Sequence, residues 1–229
     1  DGDGNNTLFG GAAADTFDID GNGNNAAWGG SANDIDIFDI DGTGNNTLGG
    51  GDGADVFNIN GDGDNTIFAG ADDLNDDINI NGNGDNTVFG GNGENGTGVN
   101  AIDIAGTGAN TIFNGNGNDN VTLAGTATGD NTLFGGAGDD TFTFGAGSKG
   151  TVSFVSGNGN DTVTGLDLTD ADQLVDLSAF GFTDADDVLD SITDGANSVL
   201  FITAGQTITF TGTTLAQLQA ADADDWLIL

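Results

Sequence analysis

The sequence predicts an all-β solenoid, and three observations carry that reading. Two kinds of short glycine-rich segment alternate along roughly the first 165 residues, and each runs into a short stretch of alternating apolar and polar residues. One pair of segments spans 19, 21 or 24 residues, a period that matches one coil of a repetitive fold. Glycine and aspartate are poor strand formers, yet in GGAGDDTFTF at 135–144 they lead straight into a strand-like stretch, so they belong to turns.

The first kind of segment reads xGxGxNTUF, where U is a large apolar residue. Copies are DGDGNNTLF at 1, DGNGNNAAW at 20, DGTGNNTLG at 41, NGDGDNTIF at 60, NGNGDNTVF at 81 and AGTGANTIF at 105, and a later one ends GDNTLF at 129–134. The second kind lies between them: GGAAADTFDI at 10, GGGDGADVFNI at 49, NGNGNDNVTL at 114 and GGAGDDTFTF at 135, with looser or longer versions at 29, 69 and 90.

Composition bounds the chemistry. The chain has 229 residues, with 43 Gly, 36 Asp, one Glu (Glu94) and a single basic residue, Lys149, for a formal charge of −36. Nucleic acid and anionic membranes are therefore not expected partners, since like charge repels. Two carboxylates about 4 Å apart repel by roughly 1 kcal/mol in water and about 4 at an effective dielectric near 20. Cations are thus expected to decide whether the chain folds. Cys, His, Met, Tyr and Pro are absent, which excludes disulfides, thiolate or imidazole metal sites and His- or Cys-based catalysis. Oxygen ligands remain, and they suit hard cations such as Ca²⁺. No apolar run approaches the ~18 residues of a membrane span. No basic, apolar signal precedes Asp1, and the sequence starts inside a repeat, as a fragment or processed product would.

The second segment matches GGxGxDxUx, and here the chain resembles the calcium-binding nonapeptides of the repeats-in-toxin (RTX) family. The fullest matches are Gly50–Asn58, Gly135–Thr143, Asn114–Thr122 and Ser156–Thr164, the last two with Asn and Ser for the first Gly. The resemblance implies a parallel β-roll, about two nonapeptides per coil, with U pointing inward and Ca²⁺ held at the GGxGxD turns. It implies two inward rows: Leu8, Ala27, Leu48, Ile67, Val88, Ile112 and Leu133 on one wall, and Phe17, Phe38, Phe57, Ile78, Ile102, Val121 and Phe142 on the other.

At the sixth nonapeptide position the second segment carries Asp15, Asp36, Asp55, Asp76, Asp119, Asp140 and Asp161, with Asn100 as the exception. The first segment has Asn6, Asn25, Asn46, Asn65, Asn86, Asn110 and Asn131 there. The family's carboxylate ligand thus falls on the Asp row, and the Asn row reads as an amide ladder, so calcium is expected on one side only. The firmest sites are Asp119, Asp140 and Asp161, 21 residues apart with intact turns at Gly117, Gly138 and Gly159. Asp55 with Asp52 is a further candidate, followed by Asp15 and Asp36, whose turns depart from the motif.

The ninth position of the first segment places Phe9, Trp28, Phe68, Phe89, Phe113 and Phe134 outward, interrupted by Gly49, beside a row of Thr7, Thr47, Thr66, Thr87, Thr111 and Thr132. Such a stripe is an intramolecular stack, an interaction surface, or both. The other wall shows Asp18, Asp20, Asp39, Asp41 and Asp103 outward.

From about residue 166 the glycine period stops. Residues 166–229 resemble the β-rich C-terminal cap of RTX exoproteins, with a strand at DQLVDLSAFG, a hairpin at ITAGQTITFTG, a short helix near Thr214–Ala221 and a closing apolar end. In that family this end is an uncleaved type I secretion signal, which implies a secreted, extracellular or cell-surface protein. No catalytic residues are expected. The preferred function is a calcium-stabilised structural protein whose partner is itself, assembling from an open first coil into a surface layer, sheath or filament. The alternatives are a calcium-dependent ice-binding or adhesin module with ice or a surface glycan as partner, or the tail of a longer exoenzyme.

Overall fold

A computed structural model describes residues 2–70, 72, 74–91, 98–157, 159–203 and 206–229, with the side chain of Thr203 excepted. The chain winds into about eight stacked turns of a parallel β-solenoid whose two walls are long sheets. One wall has ten strands in the order Thr7–Gly11, Ala26–Gly30, Thr47–Gly51, Thr66–Gly70, Thr87–Phe89, Thr111–Phe113, Asn131–Phe134, Gly150–Ser153, Gln173–Asp176 and Leu227–Ile228. The other begins with Thr16–Ile19, Ile37–Ile40, Val56–Ile59, Asp77–Ile80, Ala101–Ile104, Asn120–Leu123, Thr141–Phe144 and Asn160–Thr164.

Register follows from the alternation of side chains, since a slip of one residue would turn every apolar side chain outward. Leu8 pairs with Ala27, Leu48 with Ile67 and Ile112 with Leu133 on the first wall, and Phe17 with Phe38 and Val121 with Phe142 on the second. Both expected inward rows fill the core, except that Leu8 in the first described coil is 37% exposed. Phe17, Phe38 and Phe57 stack face to face inside, with centroids 4.7 and 4.6 Å apart. A third inward row, Ile19, Ile40, Ile59, Ile80, Ile104, Leu123 and Phe144, lies two residues further along each strand of the second wall, all of it buried. Sequence reading passed over it, although FDI, FDI, FNI, INI, IDI, VTL and FTF spell it out.

The sheets run on across residue 165 without a break. Gln173–Asp176 pairs in parallel with Gly150–Ser153, and Leu227–Ile228 with Gln173–Asp176. On the other wall Gln206–Thr211 pairs in parallel with Asn160–Thr164, and the direction then reverses through Ser198–Thr203 and Ile192–Thr193. Residues 1–165 and 166–229 therefore share both sheets and one core, into which Trp226 is fully buried edge-on against Phe210, 6.0 Å between centroids. The helix Leu215–Ala220 starts at a capping box of Thr214 and Gln217. A second helix, Ala185–Asp190, is capped by Asp184, whose side chain accepts from the Asp187 N–H. Its place was not read from the sequence. No helix among the described residues is long and apolar enough to cross a membrane.

Candidate metal sites in the stacked turns

At each edge of the roll, turns of successive coils lie backbone on backbone. A Cβ on Gly138 would stand 1.8 Å from the Gly117 carbonyl oxygen, and one on Gly159 would stand 2.4 Å from that of Gly138. Gly117, Gly138 and Gly159 also take φ of 128°, 133° and 100°, a region that L side chains avoid. These three positions thus leave carbonyl oxygens bare along the turn, where a side chain would have covered them.

The two edges satisfy their polar groups differently. On the Asn edge each amide is fully used: Asn25 Nδ2 donates to Gly23 O (2.6 Å) and to Asn46 Oδ1 (3.1 Å), and Asn46 Oδ1 also accepts from the Asn25 N–H (2.9 Å). The pattern repeats through Asn65, Asn86 and Asn110 to Asn131, whose Nδ2 ends the ladder on Lys149 O (2.9 Å). No side-chain amide group from Asn25 to Asn131 is left without a partner.

On the Asp edge one carboxylate oxygen takes a backbone N–H of the preceding coil. Asp36 Oδ1 accepts from the Asp15 N–H (2.7 Å), Asp55 Oδ1 from Asp36, Asp76 Oδ1 from Asp55, Asp140 Oδ1 from Asp119 (2.8 Å) and Asp161 Oδ1 from Asp140 (3.0 Å). Aspartate has no amide hydrogens to place on the turn. Consequently Asp15, Asp55, Asp119 and Asp140 each bury an Oδ2 without a partner. Asn100, the one amide in this row, instead donates its Nδ2 to Gly90 O (2.8 Å).

The orphaned oxygens of Asp15, Asp55 and Asp140 face Gly10, Gly50 and Gly135, and Asn114 holds the corresponding place before Asp119. A Cβ on Gly50 would lie 2.1 Å from Asp55 Oδ2 and 2.4 Å from Ala69 O, and one on Gly29 would lie 2.0 Å from Asp36 Oδ2 and 2.4 Å from Gly50 O. Buried anionic oxygen beside bare carbonyls, with no nitrogen or sulfur donor, is the donor set of a hard cation such as Ca²⁺. Among the described residues no three acidic side chains converge, so backbone carbonyls would complete the shell. The Asp15, Asp36, Asp55, Asp119, Asp140 and Asp161 carboxylates, with the glycine-turn carbonyls, are the groups that would hold it. Asp52 is half-buried beside Asp55, where its charge helps to raise the Asp55 pKa. Of the longer turns, residues 92–97 of GGNGENGTGVN, Ala71 and Asp73 of AGADDLND, Asn158 of the Ser156–Thr164 match and the starting residue Asp1 lie outside the described residues.

Burial pushes these groups away from ionisation, a backbone N–H on each opposes it, and neighbouring carboxylates add to it at Asp55, Asp76 and Asp140. Desolvation raises Asp55 to about 6, Asp76 and Asp119 to about 7 and Asp140 to about 8, against 3.8 for an ordinary Asp. In the unfolded chain they ionise near 3.8, so between that value and the folded one only the folded state holds the proton, and stability falls as pH rises through the window. With calcium chelated, strand content is expected to be higher near pH 5 than near pH 8. The folded state's apparent affinity for calcium should move the opposite way, weaker at the lower pH, because protons compete for the same oxygens. Circular dichroism in chelator and calcium titration of the folded chain at the two pH values check both signs, and a chelated protein that gains strand signal toward pH 8 contradicts the assignment.

The outward aromatic row is continuous from Trp28 to Phe134. Phe68, Phe89, Phe113 and Phe134 stack with centroids 5.1, 5.3 and 4.8 Å apart and planes within 9°. Gly49 does not interrupt it, because the Trp28 indole lies over that position: a Cβ on Gly49 would meet the ring at 2.3 Å, and Trp28 reaches Phe68 at 6.3 Å. The ring faces are spent on one another, so the row presents edges to solvent, with Phe9 at its end 75% exposed. On the acidic wall, Asn58 and Asn60 donate to Asp39 (2.7 Å) and Asp41 (2.9 Å). At the Asn edge Thr43 and Thr107 spend their hydroxyl hydrogens on Asn22 Oδ1 (2.7 Å) and Asn83 Oδ1 (2.8 Å).

Stacked glycine turns with a file of half-used carboxylates along a two-walled parallel coil define a β-roll of the calcium-binding kind. The family model of the RTX calcium-binding nonapeptide repeat (four copies) matches residues 1–18, 104–125 and 126–148, segments that contain Asp15, Asp119 and Asp140. The chain carries RTX nonapeptide repeats, and RTX nonapeptide repeats bind calcium. Among solved structures, the extracellular lipase LipA from Serratia marcescens is similar over 89% of this chain, with 18% identity and a TM-score of 0.43. The chain spans 40% of the length of that lipase. No curated protein matches the sequence.

Proposed function

We propose that this chain is a calcium-stabilised structural part of a secreted protein, without catalysis of its own, and that it self-assembles into a surface layer, sheath or extracellular filament. The observation that carries the reading is the aromatic row, an outward apolar strip from Trp28 to Phe134 on a chain of formal charge −36. From Phe68 to Phe134 its pitch is one ring per coil, close to 5 Å, and the partner commensurate with that ladder is another ladder of the same pitch. Copies of so acidic a chain repel elsewhere, so contact is favoured where the strip is, and bound calcium lowers the repulsion. The absence of His, Cys and Tyr supports a non-enzymatic role, and the C-terminal resemblance to RTX exoproteins supports export. Ice binding is the weaker reading, because Thr43 and Thr107 have turned their hydroxyl hydrogens into the ladder.

Replacing Phe68, Phe89 and Phe113 together with Ser is expected to leave the calcium-bound strand signal in place and to abolish lateral association, read by light scattering and electron microscopy in millimolar calcium. A wild-type chain that stays monomeric at high concentration in calcium defeats self-assembly and returns weight to the exoenzyme-tail and ice-binding readings.

A further inference from the structure

Asn114 occupies a place that glycine takes in five other coils, at Gly10, Gly29, Gly50, Gly90 and Gly135. The register sets Phe113 on Phe134, and the Asn114 N–H donates to Phe134 O (3.0 Å), so Asn114 is the counterpart of Gly135 one coil earlier. At Gly10, Gly29, Gly50 and Gly135 a Cβ would come within 2.1, 2.0, 2.1 and 2.7 Å of the Oδ2 of that coil's own Asp. The Asn114 side chain therefore enters the void in front of Asp119. It is fully buried, yet neither its Oδ1 nor its Nδ2 has a partner, and Asp119 Oδ2 and Asp140 Oδ2, on this coil and the next, have none either.

A buried amide with both ends unmatched is costly, and a fold keeps one where a further group supplies the missing contact. Were Asn114 a neutral plug, its Nδ2 would donate to the bare Asp119 carboxylate, as Asn100 Nδ2 does to Gly90 O (2.8 Å). It makes no such bond. We propose that Asn114 is an additional calcium ligand, its Oδ1 adding a neutral oxygen beside Asp119 Oδ2; the inference rests on the calcium reading of the Asp row. A neutral donor raises the ligand count toward the six to eight oxygens that calcium takes without adding repulsion to an already acidic file.

Calorimetric calcium titration of the full chain, with terbium luminescence lifetimes in light and heavy water, tests this. Asn114→Ala should weaken one class of site on the order of tenfold and add one bound water to the terbium there, leaving the other sites unchanged. Asn114→Gly restores the residue found at Gly10, Gly29, Gly50, Gly90 and Gly135, so it should fold in saturating calcium and show the same loss. Asn114→Asp keeps an oxygen at this position and should retain affinity and water count. Unchanged affinity and hydration in both Asn114→Ala and Asn114→Gly, or the gain of an ion, overturns the proposal. A wild-type chain that takes up no calcium or terbium overturns the calcium reading itself, a separate outcome.

Discussion

In excess chelator near pH 8 this chain is expected to lose most of its strand signal, and millimolar calcium is expected to restore it. The reason lies in the Asp file. Asp55, Asp119 and Asp140 bury an oxygen with no partner, and near pH 8 the unfolded chain gains free energy by ionising groups that the metal-free fold holds at about 6, 7 and 8. Keeping such carboxylates charged inside costs on the order of several kcal/mol per ion unless a cation is bound. Asp140→Asn separates the two effects by sign. Its amide can close the turn as that of Asn100 does, so the variant should be more stable than wild type in chelator, by about 1–3 kcal/mol, and should need more calcium to reach full order. Thermal denaturation with and without calcium reads both. Equal strand content in the two conditions, or an Asp140→Asn variant destabilised in chelator, removes the physical basis for calcium-dependent folding.

Gly138→Ala should be among the most damaging single changes in the protein. Its Cβ would sit 1.8 Å from the Gly117 carbonyl oxygen and 2.5 Å from the carbonyl carbon, both backbone atoms of the coil beneath, at a φ of 133°. Neither coil can move without carrying its sheet with it. The expected loss exceeds about 4 kcal/mol, and the calcium that the Asp119 and Asp140 turns bind should be lost with it. Gly181→Ala is the matched control. Gly181 also has positive φ, 72°, yet a Cβ there meets nothing within 4 Å, so only the backbone preference is lost, about 1–2 kcal/mol. Comparable losses in the two variants would show that conformation alone, and not the close stacking of turns, requires glycine at position 138.

Two of the three inward rows, the aromatic stripe and the alternation of Asp and Asn edges could all be read from residue identity and period. Such features are local: strand alternation fixes which side chains share a wall, and a coil length of 19, 21 or 24 residues repeats that choice. The last strand, the short helix near Thr214 and the hairpin before it were legible through the resemblance to the RTX cap. What an individual polar atom does was not legible. Asp119 and Asn110 occupy equivalent places in the two segment types, yet one leaves an oxygen bare and the other has its whole amide used, and the difference appears only when coils about 20 residues apart are stacked. Gly49 looked like a gap in the stripe until Trp28, one coil away, was seen to cover it. Asn114 looked like a tolerated substitution until its amide proved to be buried and unmatched beside Asp119. Composition and period determined the coil, its walls and the cation it favours, because those depend on neighbours along the chain. Contacts between coils decided which oxygens remain for the cation and where the roll meets its cap, because hydrogen-bond satisfaction depends on neighbours in space.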